Sequence, residues 1–304
     1  MVCLQTTALA HRYPNGETAI AGIDLRVPYG SIYGFLGPNG AGKTTTLRLL
    51  LGLLRRQCGT ISVFGRNLDA DRTEILRDVG SLIESPSLYA HLSARENLRL
   101  LQVIHRTSAA RVEEVLALVG LSDAANKKTG QFSLGMKQRL GIAAALLHSP
   151  ALLILDEPTN GLDPSGIVDM RELLLRLHRE SGVTILVSSH LLAEMEKIAT
   201  HLGIVHRGRL MFQGTLGELR GRRRQAAALR LRTSDDARAL AVIAAESVDA
   251  AIAHGEIVVP AMPGERIAHL NRRLVERGID VYSFAAIEED LETIFTNLIA
   301  GHAR

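Results

Sequence analysis

The sequence contains few cysteines and few aromatic residues. Its two cysteines, Cys3 and Cys58, lie far apart and lack C-x-x-C spacing. Neither a disulfide framework nor a zinc site is therefore indicated, and a reducing cytosol is favoured. Aromatic residues make up 4% of the 304 residues, and tryptophan is absent. Because proteins that bind single-stranded nucleic acid stack bases on such rings, the composition gives little support to that function.

Long hydrophobic runs are also missing. The longest uncharged run, 140–155, is interrupted by His148, Ser149 and Pro150. It is shorter than the roughly 18 to 20 apolar residues that a membrane helix needs. The first residues show no basic segment followed by an apolar one, so we predict no signal peptide. We therefore expect a chain that does not cross a bilayer by itself.

The remaining composition is that of a globular protein, with 46% hydrophobic and 22% charged residues and a net charge of +3. A mild positive charge is compatible with nucleic acid, an anionic membrane surface or a phosphate ligand, and it does not decide between them. The length suggests one large domain and a smaller one.

Apolar, strand-like segments alternate with helical or turn-rich segments through the first two thirds of the chain. This alternation predicts a mostly parallel α/β sheet covered on both faces. The strand-like segments are SIYGFLG, VGSLI, LLILDEP and TILVSSH. The composition changes near the basic run 220–224, and we place a domain boundary there, between 1–220 and 221–304.

The C-terminal domain has the predicted order β-α-β-β-α-β, which is that of a ferredoxin-like unit. Its predicted elements are the strand ALRLR, a helix over 234–246, two short strands in IAHGEIVV, a helix over 264–277, the strand VYSFAAI and a closing helix over 288–300. The predicted fold class is thus an α/β phosphate-loop domain followed by a small α+β unit.

The segment GPNGAGKTTT at 37–46 fills the phosphate-loop pattern G-x-x-x-x-G-K-[ST]. Its glycines let backbone amides face a phosphate chain, Lys43 reaches the β- and γ-phosphates, and the Thr44 hydroxyl can bind Mg²⁺. A predicted helix follows, and its N-terminus favours an anion. The predicted nucleotide-binding residues are Gly37, Pro38, Asn39, Gly40, Ala41, Gly42, Lys43, Thr44 and Thr45.

The segment ALLILDEPTNGLD at 151–163 has the pattern of an apolar strand that ends in Asp156 and Glu157. Two acids at the end of a buried strand are unfavourable unless they meet a metal or a hydrogen-bonding network. Asp156 is predicted as a Mg²⁺ partner, and Glu157 as the residue that orients and deprotonates the attacking water. A helix cap could explain one of the two acids but not the whole arrangement.

A third segment, FSLGMKQR, begins at Phe132 and places Ser133 at an expected helix start. With the phosphate loop and the acidic strand, it resembles the ATP-binding subunit of an ABC transporter over about residues 2–220. The family signature LSGGQ reads FSLGM here: Ser133 and Gly135 match, whereas Leu134 and Met136 differ. The resemblance implies that the matching residues hold the γ-phosphate of an ATP bound by a second subunit, so that two subunits enclose two ATP molecules.

Other positions match the family individually. Tyr13 corresponds to an aromatic ring that stacks on adenine, although packing is the more common role of a lone tyrosine. Asp163 corresponds to a loop that communicates between the two sites. His190, at a strand end, corresponds to the switch histidine that contacts the γ-phosphate. The segment 207–214 resembles the closing hairpin of the domain.

Glu84 follows a predicted strand and lies two residues before Pro86, so a solvated turn is the simplest explanation of its charge. Most of the family has a glutamine here, which touches Mg²⁺ and the attacking water in the loop that receives the coupling helix of the membrane subunit. The segment VGSLIESPSLY at 79–89 is similar to the bacitracin-resistance and lantibiotic-immunity branch of ABC exporters, where glutamate recurs. The resemblance therefore predicts Glu84 as a catalytic residue and a Mg²⁺ ligand.

The resemblance implies an ATPase subunit that drives a separate integral membrane permease in the export of a drug or peptide antibiotic. We expect it at the cytoplasmic face of the cell membrane, paired with a second ATP-binding subunit, with a homodimer favoured and no nucleic acid bound. Two alternatives stay open. One is a soluble ABC-type ATPase that acts on nucleic acid or ribosomes through the arginines at 222–224; the other is a signalling ATPase of a sensor permease. The arginine run is also compatible with a solvated linker or with contact to anionic lipid.

Overall fold

The computed structural model describes residues 1–225, 228–253 and 255–287. The chain separates into two compact units, Met1–Leu216 and Gly217–Arg304. The closing helix predicted over 288–300 lies outside the described residues.

The first unit is a mixed α/β structure. Its strands are β1 (Val2–Arg12), β2 (Thr18–Ile23), β3 (Arg26–Pro28), β4 (Ile32–Leu36), β5 (Cys58–Val63), β6 (Arg66–Asn67), β7 (Val79–Leu82), β8 (Leu152–Leu155), β9 (Thr184–Ser189), β10 (His201–His206) and β11 (Arg209–Thr215). Its helices are α1 (Lys43–Leu50), α2 (Leu68–Arg77), α3 (Ala94–His105), α4 (Ala109–Leu118), α5 (Leu134–Leu146), α6 (Pro164–Ser181) and α7 (Leu192–Met195), with a 3₁₀ turn at Thr129–Gln131.

A six-stranded sheet of order β11-β10-β4-β9-β8-β7 forms the centre of this unit. Its pairings are parallel except that β11 runs antiparallel to β10. Strands β4, β8 and β9 are buried along their whole length, as expected for strands covered on both faces. The four predicted apolar segments form β4, β7, β8 and β9, and the predicted α/β core is confirmed.

A second, antiparallel sheet of order β2-β1-β5-β6, with β3 paired to β1, joins the same unit. The sequence pattern does not reveal this sheet, because β1 has irregularities between Leu9 and Ala10 and between His11 and Arg12. Each irregularity shifts the alternation of buried and exposed residues that would indicate a half-buried strand. Side chains of both sheets, including Leu9, Ile20 and Phe35, pack into one core.

Helices α3, α4 and α5 form a helical region next to β7. Ser93 begins α3 with a capping box, in which its side chain and that of Glu96 bond to each other's backbone amide. The outer side of α3 exposes Leu100, Val103 and Ile104. Within the described residues, no helix is both long enough and apolar enough to span a bilayer.

The second unit begins within α8 (Leu216–Gln225), whose first residue is the last residue of the first unit. Its elements are β12 (Ala228–Thr233), α9 (Asp236–Ala245), β13 (Ala251–Ala253), β14 (Glu256–Pro260), α10 (Gly264–Glu276) and β15 (Val281–Ile287). The predicted order β-α-β-β-α-β is confirmed for the described residues. The strands form an antiparallel sheet of order β13-β14-β12-β15 around a core that includes Leu231 and Ile257.

The surroundings of His148 predict that the first unit loses folding stability at acidic pH. Its ring stacks on His105 with 4.5 Å between the ring centres, and its Nε2 lies 3.2 Å from the Val79 carbonyl oxygen. Burial, followed by the nearby His105, lowers the pKa of His148; the Val79 carbonyl and Asp78 oppose this shift, and Arg111 adds to it. The buried Nδ1 has no hydrogen-bond partner among the described residues, so a proton there would be unsatisfied.

Because the folded pKa of His148 lies below the unfolded one, the unfolded chain binds the proton first as the pH falls. Stability is full above the unfolded pKa of about 6.5 and declines as the pH falls below it. We expect the urea midpoint to drop between pH 7.5 and 5.5, and to drop less in His148→Gln. The exposed His91 supplies the control His91→Gln; an equal effect of both substitutions would contradict the prediction.

Candidate nucleotide-binding site

The loop 37–42 connects the buried strand β4 to α1, which begins at Lys43. Gly42 has φ +101°, and a Cβ there would lie 2.6 Å from the Ala19 carbonyl oxygen. At Gly37 a Cβ would lie 2.4 Å from the Val205 carbonyl oxygen. Only glycine fits these two positions, because the first needs a left-handed backbone and both lack room for a side chain. The amides at the start of α1 are therefore free to face an anion.

Lys43 is buried within this loop, with 5% of its side chain exposed. Its Nζ donates hydrogen bonds to the carbonyl oxygens of Gly37 at 2.7 Å and Pro38 at 3.2 Å. It also lies 3.0 Å from Oε1 of Glu157. A buried ammonium is stable only with such partners, and here they hold its charge at the centre of the loop.

Thr44 and Asp156 meet although 112 residues separate them along the chain, with a distance of 2.8 Å between Thr44 Oγ1 and Asp156 Oδ2. The Ser188 hydroxyl donates to Asp156 Oδ1 at 2.6 Å. The backbone amide of Asp156 donates to the Leu82 carbonyl oxygen at 2.8 Å, which joins the end of β8 to the end of β7. The ends of β7, β8 and β9 thus fix this carboxylate.

The oxygens of Thr44 and Asp156 fit Mg²⁺, which prefers hydroxyl, carboxylate and water oxygens in proteins. The hydroxyl and the carboxylate lie next to each other at the start of α1, where the phosphates of a nucleotide would also approach. These oxygens are compatible with the predicted Mg²⁺, and the hydrogen bond from Ser188 holds the Asp156 carboxylate in position. Sequence reasoning missed Ser188, although its position at the end of a strand, two residues before His190, was a usable signal.

Glu157 lies at the mouth of the site with a left-handed backbone, φ +45°. Its amide donates to Ser188 Oγ at 2.9 Å, and its Oε2 lies 2.6 Å from Nδ1 of His190. Burial raises the pKa of Glu157, but the hydrogen bonds and charges of Lys43 and His190 outweigh burial and leave the pKa below its usual value. The side chain is therefore an ionised carboxylate at neutral pH, able to accept a proton.

A cavity of about 510 Å³ lies in front of the phosphate loop, and Thr44, Asp156, Glu157 and His190 all line it. Glu84 lies at its edge with φ +63° and forms an ion pair with Arg48, 2.5 Å from Oε1 to Nη2. Gln138 of α5 is buried in the wall, and within the part of the chain that the structure describes its Oε1 has no hydrogen-bond partner. The cavity is lined by Asn39, Thr44, Glu84, Ser85, Leu134, Gln138, Asp156, Glu157, Asn160 and His190.

Three residues at the site were not predicted from the sequence: Arg48, Gln138 and Asn160. Asn160 follows the acidic pair by three residues, and Gln138 lies one turn after the predicted helix start, so spacing alone could have suggested both. Arg48 gave no such signal, because a basic residue in the last turn of a helix is common for electrostatic reasons.

Tyr13 lies beside the phosphate loop, and its hydroxyl is 2.9 Å from Thr45 Oγ1. Its ring meets the ring of His11 edge-on, with 5.1 Å between the ring centres. The structure thus brings Tyr13 to the helix that follows the loop. Its predicted contact with adenine stays a prediction.

The signature residues lie in a different place. Ser133 begins α5 by accepting a hydrogen bond from the Met136 amide, and Asp163 begins α6 by accepting one from the Gly166 amide. Both line a second cavity of about 520 Å³ together with Gly135. These three residues, all in the described part of the chain, do not line the cavity that contains Glu157. The predicted site residues therefore lie on two separate surfaces.

Leu134, which replaces a glycine of the family signature, lines both cavities. Its Cδ2 lies 3.0 Å from where a Cβ of Gly161 would be. The leucine side chain therefore lies against the loop between the acidic pair and Asp163, and a Cβ on Gly161 would require it to shift by a few tenths of an ångström.

The site combines a phosphate loop that holds a buried lysine, a threonine and aspartate pair that fits Mg²⁺, and an ionised glutamate. Together these features define a P-loop ATPase. The model of the ABC transporter family matches residues 20–160. The chain is 44% identical over 304 residues to the bacitracin transport ATP-binding protein BcrA of Bacillus licheniformis, covering 98% of this chain and 97% of that protein. The chain belongs to the ABC transporter family as an ATP-binding subunit, and it hydrolyses ATP.

Two further likenesses agree with this assignment. The lantibiotic transport ATP-binding protein SrtF of Streptococcus pyogenes is 43% identical over 197 residues, which cover 65% of this chain and 84% of that protein. A dimeric structure of an ATP-binding cassette with ADP and Pi has a TM-score of 0.64 and 26% identity, and the match covers 70% of this chain and 98% of that chain. The resemblance to ABC ATP-binding subunits is confirmed.

Proposed function

We propose that this ATPase drives the export of a peptide antibiotic or drug by a separate membrane permease. The observation that carries the proposal is the convergence of Thr44, Asp156, Glu157 and His190 in front of the phosphate loop. The match to a bacitracin transport subunit over nearly the full length of both chains supports the class of cargo.

The contacts of the site suggest a role for each of its residues. Lys43 exchanges its contacts with the loop carbonyls for phosphate oxygens, because charge-assisted bonds to phosphate are stronger than bonds to uncharged carbonyls. Thr44 and Asp156 are the residues that would hold Mg²⁺, which supplies neutralisation of the phosphate charge when bound. Glu157 orients the attacking water and accepts its proton, and His190 holds the Glu157 carboxylate in place.

We further propose that two copies of the chain act together. Ser133, Gly135 and Asp163 lie on a surface separate from the site that contains Glu157, so they can serve the ATP of a second copy. A head-to-tail homodimer brings each signature surface to the partner's phosphate loop. The dimeric arrangement of a similar cassette supports this form.

The permease contact is best placed on α3 and the loop that contains Glu84. Leu100, Val103 and Ile104 form an exposed apolar stripe on α3, and Tyr89 is exposed nearby in sequence. A cavity of about 160 Å³ lined by residues of the same region, including Pro86, Leu101 and Gly141, lies next to this stripe. Exposed apolar patches of this kind mark protein contacts, and a contact here would hold the chain at the cytoplasmic face of the membrane.

Ile104→Glu tests this contact, because it places a charge in the apolar stripe without touching the nucleotide site. We expect co-purification with the permease to fall by about tenfold or more, as one buried charge costs at least about 1.4 kcal/mol at an interface. The ATPase rate of the isolated chain should stay within about twofold, since surface changes have small effects. Val275→Glu, at an exposed position of the second unit, is the matched control.

The proposed function itself is tested by co-expression with a permease of about six membrane spans, each of which needs its own apolar stretch. ATP-dependent transport of a peptide antibiotic into inverted vesicles, lost in the absence of either chain, is the expected result. An ATPase rate that responds to nucleic acid or ribosomes and not to the permease would contradict the proposal. Coupling to the permease without any transport would favour the signalling alternative.

A further inference from the structure

The ion pair between Glu84 and Arg48 lies next to the proposed metal site. Arg48 is in the last turn of α1, four residues after Thr44, and residues four apart share one face of a helix. On that face, Thr44 contacts Asp156 and Arg48 contacts Glu84. One helix therefore connects two carboxylates that belong to different loops.

The charges of the cavity explain why this pairing matters. Among the described residues, three carboxylates line it: those of Glu84, Asp156 and Glu157. Lys43 pairs with Glu157, whereas Asp156 accepts hydrogen bonds from uncharged hydroxyls. Arg48 is the cation that offsets the charge of Glu84. A glutamine at position 84 would need no such partner, because an amide is uncharged.

Stability is a poor explanation of this ion pair. The Glu84 side chain is 62% exposed and that of Arg48 is 34% exposed, and exposed pairs contribute little to folding because water screens them. The left-handed backbone of Glu84 is also unusual for a residue other than glycine. The ion pair thus orients the Glu84 carboxylate, which lies at the edge of the site, and contributes little to the stability of the fold.

We propose that Arg48 is a positioning residue that restrains Glu84 and thereby sets how strongly nucleotide binding depends on Mg²⁺. This inference rests on the proposed function of the site. While Arg48 holds the carboxylate, its charge is compensated and the triphosphate meets less repulsion. When a metal ion is present, the Glu84 carboxylate has a second cation available, and the restraint by Arg48 matters less.

The test measures the dissociation constant of a fluorescent ATP analogue for the full-length chain, with Mg²⁺ and with EDTA. We expect Arg48→Ala to weaken binding in EDTA by about three- to tenfold and to have at most about a twofold effect in Mg²⁺, as one partly screened charge implies. Arg48→Lys should keep most of the wild-type affinity because it keeps the charge. In the Glu84→Gln background, Arg48→Ala should weaken binding in EDTA by less than in the wild-type chain, because no glutamate carboxylate is then released toward the triphosphate.

The matched control is Arg77→Ala, which removes another exposed arginine paired with a glutamate, Glu74; it should leave both affinities unchanged. An equal loss from Arg48→Ala in the wild-type and the Glu84→Gln backgrounds would overturn the inference, because Arg48 would then act on the nucleotide or the fold directly. An unchanged affinity in EDTA would overturn it as well. Circular dichroism of each variant checks that the fold is retained.

The same experiment separates this inference from the proposed function. Wild-type chain that binds no nucleotide in either condition would contradict the nucleotide site itself. Wild-type binding that is lost in Lys43→Ala, with Arg48→Ala indistinguishable from wild type, would leave the site intact and remove only the role of Arg48.

Discussion

Glu157→Gln is expected to abolish ATP hydrolysis while ATP stays bound. Glutamine has nearly the same shape, and the backbone bond from residue 157 to Ser188 is retained, but an amide cannot accept the proton of the attacking water. General-base catalysis contributes about 10²- to 10⁴-fold, so the steady-state ATPase rate should fall at least about a hundredfold. The variant should also accumulate as an ATP-bound dimer in size-exclusion chromatography.

The control for this prediction is Glu74→Gln, since Glu74 is an exposed acid on α2. Its ATPase rate should equal that of the wild type. If Glu157→Gln kept a wild-type rate, another group would have to accept the proton, and the assignment of Glu157 would be wrong. If the rate fell without a dimer, the proposal that ATP holds two copies together would lose support.

Lys43→Ala is expected to weaken ATP binding itself. The substitution removes a buried cation that faces the phosphate loop and Glu157, and a hydrogen bond to a charged group is worth about 1.5–3 kcal/mol. The dissociation constant for ATP should therefore rise by roughly 10- to 150-fold. Hydrolysis should be lost at ATP concentrations that saturate the wild type.

A titration with a fluorescent ATP analogue measures this effect, and Lys197→Ala, at an exposed lysine, serves as the control. Wild-type affinity in Lys43→Ala would count against the phosphate-loop assignment. The two large effects are distinguishable, because Glu157→Gln binds ATP and does not hydrolyse it, whereas Lys43→Ala fails at the binding step.

Much of the fold was accessible from local patterns. The apolar runs that became β4, β8 and β9 are buried on both faces, so burial leaves a continuous hydrophobic signal in the sequence. The antiparallel sheet around β1 left a weaker signal because irregular pairing interrupts the alternation of its side chains. The β-α-β-β-α-β order of the second unit was readable because its short strands and helices are bounded by turn residues.

The sequence by itself determined the phosphate loop, the acidic strand end and the signature segment, because each depends on residues that are adjacent along the chain. Only the tertiary structure decided how they meet. Thr44 and Asp156 are 112 residues apart and in contact, Ser188 joins Asp156 to Glu157, and Arg48 reaches Glu84 across 36 residues. Such contacts follow from the order in which strands pair in the sheet, and strand order depends on the packing of the whole unit, which no local pattern records.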